Sequence, residues 1–162
     1  MDAGAAIVTI DPPLPHDLQG YIRRERSVHR HGEGDPLLIT AVVLRTDAAA
    51  CAILAADLVG YSPLMAERIR SAVAAAINVT PGDVLINASH SHATPWMRED
   101  GSKLGGGEDE YTAVELSYID GMPAAFARAA RIAATARSYT PARQTAWSCS
   151  SRGPSRCTEK AR

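Results

Sequence analysis

Asp83-Val84-Leu85-Ile86-Asn87-Ala88-Ser89-His90-Ser91-His92-Ala93-Thr94-Pro95 runs from an apolar segment into two histidines one residue apart, and then into a proline. Alternate side chains of a strand share a face, so an extended backbone turns His90 and His92 the same way, whereas a helix would splay them. The spacing therefore predicts a strand. Pro95 cannot donate to a sheet ladder, so pairing should stop about there, leaving the histidines at the strand's carboxyl end. Open α/β sheets bind their ligands at that end. Two imidazoles on one face can hold a borderline metal such as zinc, or can divide into one ligand and one acid–base group. Two histidines without a task in a strand-end loop are the alternative, because His-x-His is a short pattern with many chance matches.

Immediately upstream, Ser62-Pro63 gives a helix start, with a hydroxyl at the N-cap and proline at the first helical position. Met65, Ile69, Ala72, Val73 and Ala76 then recur at helical spacing, and Pro81-Gly82 breaks the pattern. Leu37 to Arg45 and Ala50 to Leu58 are apolar runs joined by Thr46-Asp47-Ala48-Ala49, which predicts an antiparallel hairpin. Because both runs are nearly continuous in apolar residues, both of their faces are expected to be covered. Strand, helix and strand in succession imply a βαβ crossover, so the strands at 50–58 and 84–89 should be parallel. Asp57 would then stand at a strand end close to His90, where a carboxylate could fix the tautomer of a metal-bound ring; capping a local turn is its other reading. The remaining elements are a first strand near 5–10 and a helical pattern over 111–136, which Gly121 and Pro123 should kink or split. The fold class is α/β, a mixed β-sheet with a βαβ crossover and packed helices.

Asn87 to Pro95 resembles the Asn-Ala-Thr-His-Thr-His-Ser-Gly-Pro signature of the neutral/alkaline non-lysosomal ceramidase family, in its N-terminal catalytic domain. Other pieces resemble the family in order: Ala3-Gly4-Ala5-Ala6, Ile10-Asp11-Pro12-Pro13, Gly20-Tyr21, Asp35-Pro36-Leu37 and Ala56-Asp57-Leu58-Val59-Gly60. The resemblance covers about Ala3 to Arg143 and implies the first half of a larger ceramidase-like domain. It further implies hydrolysis of the N-acyl amide of ceramide-like lipids at one zinc ion. His90 matches the family's metal-binding histidine, and His92 matches the one that contacts the scissile carbonyl. Zinc in that role acts as a Lewis acid on bound water. The family's Ser-Gly is Ala93-Thr94 here, and Gly34 stands where the family has a histidine. The family's other histidine, glutamate and tyrosine ligands fall beyond the matched part. A catalytic zinc needs about three protein ligands, and Glu33, Asp57 or Glu99 would have to help. An incomplete copy with little or no activity is therefore expected.

A chain of 162 residues with 46% hydrophobic content makes one globular core. Its net charge of -1 gives no case for a nucleic-acid partner. The absence of a membrane-length apolar run and of a basic-then-apolar leader points to a cytoplasmic chain. Cys51, Cys149 and Cys157 lack metal-ligand or disulfide spacing. His29 and His31 form a second His-x-His inside a basic loop, and Gly101 to Gly107 reads as a mobile loop without the closing residues of a phosphate cradle. After Ile132 no Val, Ile, Leu, Met or Phe remains. The chain thus divides into 1–140, a partial domain, and 141–162, a polar tail read as disordered or out of frame. Sheet edges left without neighbours would favour self-association. Two other functions fit the same residues: a non-catalytic interaction module retaining the fold, or another metal-dependent hydrolase using His-x-His, although a barrel amidohydrolase needs about 250 residues.

Overall fold

The computed structural model describes residues 1–12, 35–92, 94, 95, 97, 113–136, 146–148 and 158–160. The basic loop with His29 and His31, the glycine-rich loop, Glu33, Glu99, Cys149, Cys157 and most of the polar tail lie outside these residues. The elements are β1 (Asp2–Thr9), β2 (Leu38–Arg45), β3 (Ala50–Ala56), α1 (Pro63–Ile77), β4 (Val84–Ala88), α2 (Ala113–Thr135), β5 (Ala146–Ser148) and β6 (Thr158–Lys160).

Four strands form one mixed sheet in the order β1-β2-β3-β4, the first two pairings antiparallel and β3–β4 parallel. The hairpin between β2 and β3 is closed by Thr46, whose hydroxyl oxygen accepts from the N–H groups of Ala48 and Ala49 at 3.3 and 3.0 Å. A hydroxyl bonding the backbone two and three residues on is a local turn that needs no glycine. The crossover from β3 to β4 passes through α1. There Ser62 caps the helix by accepting from Met65 N at 3.0 Å, with Pro63 at the first position. Asn78 ends it in the left-handed conformation at φ 59°. A short 3-10 turn (Pro81–Asp83) then leads into β4. Asp83 accepts from both the hydroxyl and the N–H of Thr80, and these bonds hold its carboxyl below its ordinary range. Apart from this sheet, β5 and β6 pair antiparallel with each other.

The core lies between the sheet and the two helices. Ala6, Val8, Ile39, Ala41, Val43, Ala52, Leu54 and Ala56 face Met65, Ile69, Val73, Ile119, Met122 and Phe126, all of them buried. The opposite sheet face is bare among the described residues: Ile7, Ile53 and Leu85 are 65%, 43% and 56% exposed. Continuous apolar runs led to an expectation of cover on both faces, and the described residues supply cover on one of them. Both helices are on one side, and no described element packs on the other.

Pro123 does not split the second helical segment, which is one helix from Ala113 to Thr135. Ile119 and Met122 before the proline and Phe126, Ala129, Ala130 and Ala133 after it are all buried on the same core, and this shared burial offsets the lost hydrogen bond. Val114, in the first turn of α2, is 56% exposed. Gly4 permits the closest approach. A side chain there would overlap Ala133 O and stand 2.8 Å from Ala136 O, so only glycine lets the end of α2 sit on β1.

Candidate functional site

The carboxyl ends of β3 and β4 lie side by side, with Ala56 in register with Ala88. One more main-chain bond, from Ser89 N to Ala56 O at 3.0 Å, carries the pairing past the strand end. The alternation predicted for the two histidines then fails. His90 is in the left-handed region at φ 60°, so it no longer extends the strand. The rings nevertheless meet, edge to face, with centroids 5.0 Å apart. They are brought together by a turn and not by the pleat. Thr94, fully buried, closes that turn by donating its hydroxyl to Ser91 O at 3.0 Å.

His90 Nδ1 is 2.8 Å from Val59 O. A carbonyl can only accept, so Nδ1 carries the proton and, in the neutral ring, Nε2 keeps its lone pair. A metal-binding imidazole is oriented in this way by a carbonyl or carboxylate on its other nitrogen. The sequence left Asp57 either as the orienting group or as the cap of a local turn. Its carboxylate Oδ2 accepts from Leu38 N at 3.1 Å, while its own N–H donates to Leu38 O at 2.9 Å. Asp11 does the same for the neighbouring residue, Oδ1 accepting from Leu37 N at 2.8 Å. The two aspartates therefore stitch the entry of β2 to its neighbours, and the histidine is held by main chain.

Tyr61 was not anticipated. It stands between the Val59 carbonyl and the α1 cap, and its hydroxyl donates to Asn87 O at 2.8 Å, three residues before His90. Its ring meets Phe126 edge to face at 5.9 Å. Burial, with the Asp57 charge adding to it, pushes the Tyr61 hydroxyl well above its ordinary range, so it stays a neutral donor. Tyr118 does a similar task just past the carboxyl end of β1, donating to Ile10 O at 2.7 Å. Only its place just before Ser62-Pro63 distinguishes Tyr61 in the sequence, and a main-chain acceptor such as Val59 O leaves no sequence signal at all.

Among the described residues no three His, Cys, Asp or Glu side chains converge as a metal-holding group. The described donors at the strand ends are the two imidazoles, short of the three that a catalytic zinc takes. No described helix is long and apolar enough to cross a membrane.

No family model matches the sequence. Nor does any curated protein. The fold, in contrast, is similar to solved structures: neutral ceramidase from Pseudomonas aeruginosa superposes with a TM-score of 0.59 at 16% identity over 83% of this chain. A ceramidase complexed with C2 gives 0.58, also at 16% identity and 83% coverage. The likeness spans 21% of each of those chains, so the present chain corresponds to about a fifth of their length. The four-stranded mixed sheet with its two packed helices is thus a ceramidase-like fold.

Proposed function

We propose that this chain is part of a zinc-dependent amide hydrolase acting on the N-acyl bond of ceramide-like lipids, with little or no hydrolysis on its own. The observation that carries the reading is the His90 ring: in a ceramidase-like fold, at the carboxyl end of the crossover strand, Nδ1 is fixed on Val59 O and Nε2 is left as the acceptor. In this reading His90 supplies one metal ligand and His92 a donor for the scissile carbonyl as it gains charge. Asp57 shapes the site through β2 and through Tyr61. The described residues do not complete a zinc site, and the donors that would do so belong outside them, with Glu33 and Glu99 as candidates in this chain. A metal held by one or two ligands leaves the nucleophile badly aligned, and a misplacement of about 1 Å costs on the order of a hundredfold in rate.

The test pairs a calorimetric zinc titration of the chain and of His90→Ala with a ceramide hydrolysis assay. Binding weaker than micromolar, lost in His90→Ala and accompanied by negligible turnover, is expected. Sub-micromolar binding with robust turnover would show a complete site. Weak binding that survives His90→Ala would remove the histidine from the metal. A second reading, a non-catalytic interaction module, is favoured by the bare apolar face of the sheet.

A further inference from the structure

We propose that Tyr61 is a positioning residue for His90: by tying the β3–α1 connection to β4, its hydroxyl fixes the carbonyl that selects the tautomer of the histidine ring. Val59 to Ser62 lead from the end of β3 to the cap of α1, and this segment meets the end of β4 at two points. Val59 O accepts from His90 Nδ1 at 2.8 Å, and the Tyr61 hydroxyl donates to Asn87 O, also at 2.8 Å. Residues 59–61 and 87–90 are thereby closed into one small loop, in which each bond limits the play left to the other. Gly60 links the two anchors, and a Cβ there would meet nothing within 4 Å. Packing at that residue does not fix the link, and glycine is conformationally permissive. The Tyr61 ring supplies what Gly60 does not. It lies edge to face with the fully buried Phe126, centroids 5.9 Å apart, while the next residue, Ser62, is held by its cap on Met65 N. Val59 O is thus placed by a neighbour anchored in the core.

The β4 side of the loop carries strain. His90 lies at φ 60°, a region that residues with a Cβ seldom adopt. Such a conformation persists where its surroundings over-determine it, and outliers of this kind gather at ligand sites. Ser89 N is held on Ala56 O just before the turn, Thr94 closes it just after, and Tyr61 holds the strand below it. Burial keeps the Tyr61 hydroxyl protonated well past neutral pH, so the donor persists. Without it, Val59 O is free to drift from Nδ1. His90 is exposed, so water would then serve either ring nitrogen and neither tautomer would be held. An imidazole protonated at Nε2 part of the time offers that nitrogen to a cation only for the remainder. The consequence for zinc rests on the reading of His90 as a ligand; the hydrogen bonds do not.

Nitrogen-15 spectra of the imidazoles at about pH 9, where an ordinary histidine is neutral, test this. The His90 signals are those missing from His90→Ala. In the wild type they should show one tautomer, protonated at Nδ1. Tyr61→Phe keeps the ring beside Phe126 and removes only the hydroxyl, and its His90 should become a mixture of both tautomers. Tyr118→Phe is the matched control. It also loses a buried donor to a main-chain carbonyl, Ile10 O, but beside β1, two strands from β3, and should leave His90 unchanged. Zinc added at neutral pH and followed by the same ring signals should bind about tenfold more weakly to Tyr61→Phe, the low end of what losing an outer partner of a ligand costs. Binding to Tyr118→Phe should be unaltered. Melting curves separate these effects from a shared loss of stability. A single Nδ1 tautomer that survives Tyr61→Phe would overturn the proposal. So would an equal shift in Tyr118→Phe, or a wild-type ring already mixed. Tautomers that respond to Tyr61 in a chain that binds no zinc would uphold the positioning and sink the metal reading. Zinc held through His90 with tautomers indifferent to Tyr61 would do the reverse.

Discussion

Within β3, Leu54 is fully buried while Ile53, the residue before it, is 43% exposed. The same alternation runs through all four strands: one set of side chains meets the helices, and the other meets no described element. The two sets are nearly equally apolar. The difference teaches that strand composition states what a surface is suited to touch, whereas the placement of helices decides what it does touch. Measurements on folding and measurements on association should therefore respond to different residues of the same strands.

The largest effect is expected on the covered side. Phe126, the one phenylalanine, is fully buried between α2, the sheet and Tyr61. Phe126→Ala should cost about 3–5 kcal/mol in chemical denaturation, enough to leave a marginal domain largely unfolded. A loss below about 1 kcal/mol would mean that the helices do not form the cover described. Next comes the seam where α2 meets β1. Gly4→Ala places a methyl on Ala133 O and should destabilise by about 1–3 kcal/mol, read as a lower melting temperature, although alanine normally improves on glycine in a strand.

A third, smaller effect follows pH. Burial, aided by Asp57 and Asp11, raises the Tyr61 and Tyr118 hydroxyls above the 10.0 of an exposed tyrosine. The unfolded chain releases these protons first, so their stabilisation is intact below pH 10 and is lost as pH rises beyond it. The slope is up to about 1.4 kcal/mol per pH unit for each residue. Urea midpoints measured on either side of pH 10 should fall accordingly, and a Tyr61→Phe, Tyr118→Phe double variant should flatten that fall. The smallest effect belongs to the bare side: in dilute solution, Ile53→Ser should change unfolding stability by no more than about 0.5 kcal/mol. A loss comparable to that of Phe126→Ala would mean that the two faces are not distinct.

Much of this architecture was legible before any coordinates. Ser62-Pro63, the stripe from Met65 and the break at Pro81-Gly82 located α1 almost to the residue, because capping and periodicity are local physics. The hairpin and the parallel crossover followed from connection lengths. The bare face was illegible because a continuous apolar run is compatible with one cover or two. Pro123 misled because its cost is local while its compensation, the burial of Ile119 and Phe126 on one core, is tertiary. At the site, the His90–His92 pairing was visible but its geometry was not. Val59 contributes only a carbonyl, which every residue has, and the left-handed turn at His90 arises where the ladder with β3 runs out.

That turn bears on how the chain would change over generations. Glycine adopts φ 60° freely, and asparagine does so more readily than most, so either residue at position 90 would be easier on the backbone than histidine. A lineage drifting without use for the imidazole would be expected to lose it to one of these, the easier backbone offsetting the lost bond to Val59 O. Related chains that keep histidine there would be paying attention to the ring and not to the turn, whereas a scatter of glycine and asparagine would record a site fallen silent. Position 90 can in this way serve as a tracer of whether the chemistry is still under selection, readable from natural variation alone.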